Sequence, residues 1–429
     1  MGSILILGAG RSSSALITYL LRYGAQNGVE VTVGDVSLQA AKERTSGFPN
    51  GKAIEFDITK KEESLAAIRK ANVVVSLIPA HLHTSVAKIC LETGSHLLTA
   101  SYVSDEMKSF DNDSRTRELL FLNECGLDPG IDHMSAMQVM DRIRSEGGKI
   151  TSFESFTGGL IAPGTDPENP WRYKFTWNAR NVVMAGQGTA KFLQDGDYKY
   201  IPYQRLFKTI TPVVVPGYGE YEGYANRDSL KYLKTYGLHD VKTMIRGTLR
   251  NKGFCSAWDV LVQLGCCDDT YEMENVPPMT HAGFIRSFTA TAINCSDEDR
   301  RRLTWSGLFS EEPVGLNKGT PAQILEHILN KRWKLGPNDK DLVVMWHRFG
   351  YSKGGVSKQL EASLVATGSN SIDTAMAKTV GLPLAIAAKL LIEGKIKQRG
   401  VVIPVSKEIY EPVLEELKEL GIELSEREV

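Results

Sequence analysis

The chain has almost no excess charge of either sign: 50 lysines and arginines stand against 51 aspartates and glutamates, a formal net charge of −1. A nucleic-acid or polyanion binder shows a basic excess on some face, so the balance argues against that class of partner. Cysteine is sparse as well. Cys90, Cys125, Cys255, Cys266, Cys267 and Cys295 are spread over 429 residues. None forms a Cys-x-x-Cys pair and no Cys/His run has zinc spacing, so no metal site is expected. Scattered thiols in a long chain point to a reducing, cytoplasmic setting. Long apolar runs are missing too. Ile4–Leu7 is too short for a signal-peptide core, and Val380–Ile392 is interrupted by Lys389 and falls short of a membrane span. The Met-Gly start has Ile6 where a myristoylation pattern needs Ser or Thr. A soluble protein without a membrane partner is expected, with no internal repeat or low-complexity tract.

What is present suits an ordinary globular chain, 42% hydrophobic and 24% charged. Its length predicts two or three domains. The first 130 residues alternate short β-branched runs with helical patterns. Strands are expected at Ile4–Leu7, Val29–Val33, Ala53–Phe56, Val73–Ile78 and His96–Thr99, separated by helices of about a dozen residues. That alternation predicts a Rossmann-type, doubly wound parallel sheet covered on both faces. Beyond Asp132 the texture changes. A helix is expected over Met134–Ser145, a strand over Ile150–Thr157 stopping at Gly158-Gly159, and antiparallel strands with long loops across 160–230. The pattern turns helical from Leu230 to Lys334. Leu342–Phe349 and Lys358–Thr367 read as a strand pair, and Thr374–Leu391 as an apolar helix broken by Gly381 and Pro383. The predicted α/β fold therefore has three parts. A dinucleotide-binding domain covers 1–130 and is completed by about 385–429. An α/β substrate domain of mainly antiparallel strands covers 131–230 and 340–384, and a helical insertion covers 231–339.

Gly8-Ala9-Gly10-Arg11-Ser12-Ser13 falls where the first strand turns into a helix. Small residues there let the backbone approach a pyrophosphate, and a helix N-terminus offers unpaired N–H groups and partial positive charge. Ser13 stands where the full fingerprint has glycine. Asp35 ends the second strand, where an acid bonds the adenosine ribose hydroxyls. Asp57, ending the third strand beside Ile58, either reaches the adenine edge or caps a helix. Leu77 and Ile78, at the end of the fourth strand, are expected to border the cofactor near the ribose or nicotinamide. Thr99-Ala100-Ser101-Tyr102-Val103-Ser104 and Asn123-Glu124-Cys125-Gly126-Leu127-Asp128-Pro129-Gly130-Ile131-Asp132-His133 follow the next two strands. Ligands of such sheets collect at the carboxyl ends, so both segments, with Ala100 and Leu127, should face the nicotinamide.

These segments carry a resemblance. The strings Ser101-Tyr102-Val103-Ser104 and Gly126-Leu127-Asp128-Pro129-Gly130-Ile131-Asp132-His133 are similar to those of the saccharopine reductase family, the glutamate-forming saccharopine dehydrogenases of α-aminoadipate lysine biosynthesis. So are Gly158-Gly159-Leu160-x-Ala162-Pro163, Tyr173-Lys174-Phe175-x-Trp177, Asn226-Arg227-Asp228-Ser229, Arg246-Gly247-Thr248-Leu249-Arg250, Ala375-Met376-Ala377-Lys378 and Arg399-Gly400-Val401. Thr157 departs from the pattern, which often has cysteine there. The resemblance implies a homodimer and a reductive amination. α-Aminoadipate semialdehyde condenses with the amino group of glutamate, and the imine takes hydride from a nicotinamide to give saccharopine. It maps Ser101, Tyr102, Asp128, Arg227, Thr248, Leu249 and Arg250 to the substrate pocket and sets Trp177 near the cofactor.

The residues agree with that chemistry. Three carboxylates on the product call for guanidinium forks, which Arg227 and Arg250 supply. Proton transfers at a carbinolamine call for an acid/base pair, for which Tyr102 and Asp128 are the candidates. His133 is either catalytic or a satisfied histidine at a helix start. The carboxylate of Asp35 favours NAD over NADP; NADP is the alternative if Asp35 turns aside and Arg44 or Lys42 meets the 2′-phosphate. Two other functions compete. A sibling imine reductase such as carboxynorspermidine dehydrogenase would need acidic or aromatic lining for a diamine, and a dinucleotide-binding protein without turnover would not need Tyr102, Asp128, Arg227 and Arg250 together.

Overall fold

Ile4, Leu5, Ile6 and Leu7 are each at most 2% exposed, because β1 (Ser3–Leu7) is an inner strand buried on both faces. In the computed structural model, which describes residues 2–185, 187–289 and 291–429, β1 pairs in parallel with β2 (Glu30–Asp35) on one side and β4 (Val73–Ser76) on the other. With β3 (Gly51–Glu55), β5 (His96–Thr99), β6 (Leu120–Leu122) and β15 (Gly400–Val402) they form one parallel sheet in the order β15-β6-β5-β4-β1-β2-β3. The strand order reverses at β1, so a crevice opens at the carboxyl ends of β1, β2 and β4, where ligands of such sheets bind.

This sheet is the centre of one of two compact units, Met1–Ser145 with Ile372–Leu424. The helix Ile131–Ser145 belongs to it, three residues longer at its start than the sequence suggested and outside the substrate domain expected for it. So does Ala375–Ile392, which runs unbroken through Gly381 and Pro383. The helix holds because packing overrides the local preference against glycine and proline. A Cβ on Gly381 would lie 3.0 Å from the Leu16 side chain and 3.1 Å from its backbone nitrogen. Glycine thus lets this helix close on the helix Ser14–Asn27. By length and composition Ala375–Ile392 could cross a membrane, contrary to the shorter run read from the sequence, yet most of it is buried inside the protein.

The second unit, Glu146–Ser371 with Ser425–Val429, is built on a nine-stranded mixed sheet. Its strands are β7 (Lys149–Ile161), β8 (Ala190–Gln194), β9 (Asp197–Ile201), β10 (Ile210–Val215), β11 (Gly219–Ala225), β12 (Thr243–Asn251), β13 (Asp341–Lys353), β14 (Val356–Thr367) and β16 (Ser425–Glu428). The main path is β10-β11-β12-β7-β13-β14-β16, with β8 joining β12 and β9. Only β12 and β7 are parallel; the other pairs run antiparallel, as the sequence led one to expect. Two expectations need correction. β7 does not stop at Gly158-Gly159, because Val344 and Val343 of β13 continue the ladder opposite them. Residues 243–251, assigned to a helical insertion, are the central strand β12. Helices do occur in the rest of that stretch, among them Phe254–Leu264 and Pro321–Trp333, joined by long loops. They enclose a core in which Trp171, Trp258, Trp333, Tyr173, Phe175 and Phe254 pack at ring-centroid distances of 5.0–6.3 Å.

Candidate active site

At the carboxyl end of β1 the two glycines answer different needs. Gly8 has φ +106, and a Cβ there would sit 3.1 Å from the Leu77 carbonyl, so the fold itself requires glycine. Gly10 is extended, and a Cβ on it would meet nothing within 4 Å. Nothing in the protein needs that position bare; the space it leaves is a cradle a pyrophosphate would fill. Arg11–Ser13 form one 3-10 turn leading into the helix Ser14–Asn27, so unpaired N–H groups face the same cradle. The residues fit a dinucleotide.

Asp35 closes β2. One carboxylate oxygen accepts the Ala9 N–H at 2.7 Å and the other the Ser37 N–H at 2.9 Å. Each oxygen keeps further acceptor capacity for a ribose hydroxyl. Arg44 lies along the same loop, its Nε 3.4 Å from the Ala9 carbonyl and its Nη2 3.3 Å from that of Gly10. Asp57 caps a turn: its Oδ1 accepts both the N–H and the hydroxyl of Thr59, bonds that hold its carboxyl below the usual range. Ile58 and Ile78 are half-buried against the unit's core. Leu77 donates its N–H to Leu7, and Ala100 touches the turn at Gly126. Leu127 is 5% exposed, directly before the turn at Asp128-Pro129.

Ser101, Tyr102 and Asp128 meet at the ends of β5 and β6. The Tyr102 hydroxyl donates to Asp128 Oδ1 at 3.2 Å, and both side chains are partly exposed. Beneath them lies His83, which the sequence reading passed over. Its Nδ1 is 2.9 Å from Ser76 Oγ, and its Nε2 is 2.8 Å from Ser101 Oγ and 3.1 Å from Thr99 Oγ1. Burial pulls its pKa down to about 4, so the ring is neutral near pH 7. His133 is wholly buried with Nε2 2.9 Å from Glu124 Oε2. It is the satisfied histidine of the two readings; its partner Glu124 lies in the segment expected to face the nicotinamide, where the sequence assigns it no role of its own. The signal for such a role was there: a charge two residues past the end of the apolar strand β6, on the ligand-binding edge.

In the second unit, Thr248 and Arg250 alternate along β12 on the same side of the strand, opposite Tyr224 and Glu222 of β11. Thr157 of β7 is the parallel partner of Thr248. Arg250 is 3% exposed. Its guanidinium lies 5.1 Å from the rings of Tyr173 and Phe254 and 5.9 Å from Tyr224. Nη1 donates to the Leu249 carbonyl at 3.0 Å, while Nε has no acceptor. Among the described residues no carboxylate pairs with it. Burial pushes Tyr224 up to about 12 and raises Tyr173, so these hydroxyls stay neutral and do not cancel the charge. A desolvated cation without an anion is costly, and a ligand carboxylate would relieve that cost. Leu249 is fully buried in the apolar core, so its side chain shapes the strand rather than facing a ligand. Arg227 is exposed, with φ +51, and its carbonyl accepts the Lys191 N–H. Trp177 is partly buried against the aromatic core. Tyr102 and Asp128 are thus joined in one unit, and Thr248 and Arg250 in the other. Among the described residues no group of His, Cys, Asp and Glu is placed to hold a metal ion.

Comparison with known proteins covers nearly the whole chain. Residues 4–122 match the family model of the saccharopine dehydrogenase NADP binding domain, and residues 126–422 that of the saccharopine dehydrogenase C-terminal domain. A Saccharomyces cerevisiae relative, saccharopine dehydrogenase [NADP(+), L-glutamate-forming], is 34% identical over 100% of this chain and 99% of its own. The rat mitochondrial alpha-aminoadipic semialdehyde synthase is 33% identical over 98% of this chain and 47% of its own length. Among solved structures, apo saccharopine dehydrogenase (L-Glu forming) from Saccharomyces cerevisiae superposes with a TM-score of 0.89 at 32% identity, covering 100% of both chains.

Proposed function

The chain belongs to the saccharopine dehydrogenase family, and from that premise we propose that it joins α-aminoadipate semialdehyde to L-glutamate and reduces the resulting imine to saccharopine, reversibly. It is an oxidoreductase of CH–NH bonds. The observation that carries the reading is Arg250, a buried guanidinium that no carboxylate among the described residues pairs with. Saccharopine carries three carboxylates, and a planar fork binds one of them in two-point fashion. Arg227, exposed and held in a left-handed backbone conformation, serves a second. Thr248 adds a hydroxyl on the Arg250 side of β12.

Tyr102 and Asp128 handle the protons. As the amine nitrogen bonds to the aldehyde carbon, the carbonyl electron pair moves to oxygen, which takes up a proton, and the nitrogen gives one up. Tyr102 gives the proton to oxygen and Asp128 accepts the one from nitrogen; Asp128 then returns its proton as the hydroxyl leaves as water, and Tyr102 regains one from nitrogen as C=N forms. Ser101, held by His83, orients a substrate polar group. When bound, the nicotinamide dinucleotide supplies hydride to the imine carbon or accepts it in reverse. The Gly8–Ser13 loop would hold the pyrophosphate and Asp35 the adenosine ribose; Leu77, Ile78, Ala100 and Leu127 would border the nicotinamide. Asp35 favours NAD. Arg44 supports the second reading, NADP, since it lies beside the same loop.

The six cysteines are all free thiols, five of them buried, which suits the cytoplasm. A homodimer fits the exposed Ile210 and Val214 on the edge strand β10. Kinetics with saccharopine test the pocket: Arg250→Ala and Arg227→Ala should each lose about 10- to 150-fold in apparent affinity, the worth of one charge-assisted contact. Near-wild-type values for both would remove the pocket assignment.

A further inference from the structure

Glu124 is a buried carboxylate in a backbone conformation that side-chain-bearing residues avoid. It is 2% exposed, with φ +55. Strained positions persist only where their surroundings hold them, and they concentrate at functional sites. Its bonds show what the strain achieves. The Glu124 N–H donates to the Ser101 carbonyl at 3.1 Å, and Glu124 Oε1 accepts the Val103 N–H at 3.0 Å. One residue therefore grips the backbone on both sides of Tyr102. The second oxygen, Oε2, is 2.9 Å from Nε2 of His133, which is itself fully buried. On the far side of that ring, Nδ1 is 3.8 Å from Oδ2 of Asp132, and Asp132 Oδ1 accepts the Gly130 N–H at 2.6 Å. Gly130 lies two residues beyond Asp128.

We propose that Glu124, braced by His133, is a positioning residue for the reaction: it clamps the Tyr102 loop against the Asp128 loop so that the two proton-transferring groups stay in contact. The inference rests on the proposed roles of Tyr102 and Asp128. Neither Glu124 nor His133 is exposed enough to touch substrate, so both act through the loops they hold. The 3.2 Å contact between Tyr102 and Asp128 joins side chains from two loops that lie on different segments of the chain. The bonds from Glu124 to Ser101 and Val103 supply a second link between those loops, and His133 braces the carboxylate that makes one of them. Proton transfer between positioned groups is steep in distance, so loosening the lower link should slow turnover while leaving the pocket's binding groups in place.

The test combines kinetics with amide exchange on the full-length protein. Glu124→Ala should lower kcat by about 30- to 100-fold, with KM for saccharopine and dinucleotide binding changed less than about 3-fold. Glu124→Gln keeps an acceptor oxygen for the Val103 N–H and should recover kcat to within about 5-fold. In a Tyr102→Phe background the alanine substitution should add little, since both changes break the same unit. The Val103 amide should exchange much faster in Glu124→Ala than in wild type. If Glu124→Ala yields no folded protein, Glu124→Gln and His133→Gln carry the comparison against His133→Ala. Multiplicative effects of Glu124→Ala and Tyr102→Phe, or unchanged Val103 exchange, would overturn the clamp. Wild type that ignores saccharopine yet shows the Val103 effect would instead sink the substrate assignment and leave the clamp standing.

Discussion

Tyr102 and Asp128 make the sharpest claim about single residues. Removing a proton-transfer group typically costs ~10²–10⁴-fold in rate, so Tyr102→Phe and Asp128→Ala should lower kcat far more than they raise KM. Full turnover with only an altered KM would make them binding groups. His83 leads to a second prediction. Its folded pKa of about 4 lies below the 6.5 of a free imidazole, so the unfolded chain binds the extra proton and stability falls as pH drops through that window. Between pH 7 and 5 the loss from this one residue should be about 2 kcal/mol. His96 adds in the same direction, its pKa lowered to about 4 by burial and by Arg399 while its Nδ1 accepts the Leu120 N–H. Urea midpoints measured across that range should fall on acidification, and His83→Gln should flatten the dependence; parallel curves for both proteins would refute it. The sequence made Arg250 visible because it sits in a recognisable string. It put Glu124 on the ligand-binding edge without a role and passed over His83, because the roles of both come from partners that the fold brings in from other segments.

At the scale of elements, the cofactor question rests on the end of β2. The carboxylate of Asp35 faces the loop that would hold the dinucleotide. A 2′-phosphate 4 Å from it would be repelled by about 4 kcal/mol at an effective dielectric of 20, less after solvent and side-chain rotation. Discrimination of ~10- to 100-fold in kcat/KM for NAD over NADP is expected, and Asp35→Arg should reverse it. Equal or better use of NADPH by the wild type would side with Arg44 and with the NADP(+) named for the yeast relative. The inner parallel strands β1, β4 and β5 were legible because each is a short, largely apolar run buried on both faces. β12 was not, since its run Thr243–Asn251 carries two arginines and a glycine and lies among helical patterns. Only its pairing with β7 and β11 makes it a strand. The unbroken helix Ala375–Ile392 is hidden for the opposite reason: its sequence shows the local breakers Gly381 and Pro383, while packing decides the outcome.

For the whole molecule, the sequence carried the α/β class and the family, while the division of the chain needed contacts that periodicity does not report. The helix Ile131–Ser145 and the C-terminal β16 both fall in units the sequence did not assign them to. A second copy covering the exposed edge of β10 would bury Ile210 and Val214, so sedimentation should give twice the 47.3 kDa of one chain and Val214→Lys should shift it toward the monomer. A wild-type monomer at micromolar concentration would end the dimer proposal. The central claim, that the enzyme reduces an imine between an aldehyde and glutamate, is tested most directly by following atoms into the product. The enzyme is incubated with α-aminoadipate semialdehyde, ¹⁵N-glutamate and a reduced nicotinamide dinucleotide deuterated at the transferring carbon, and the product mass is read. The account predicts saccharopine carrying both the ¹⁵N and the deuterium; a product formed with a diamine but not with glutamate, or saccharopine lacking the deuterium, would contradict it.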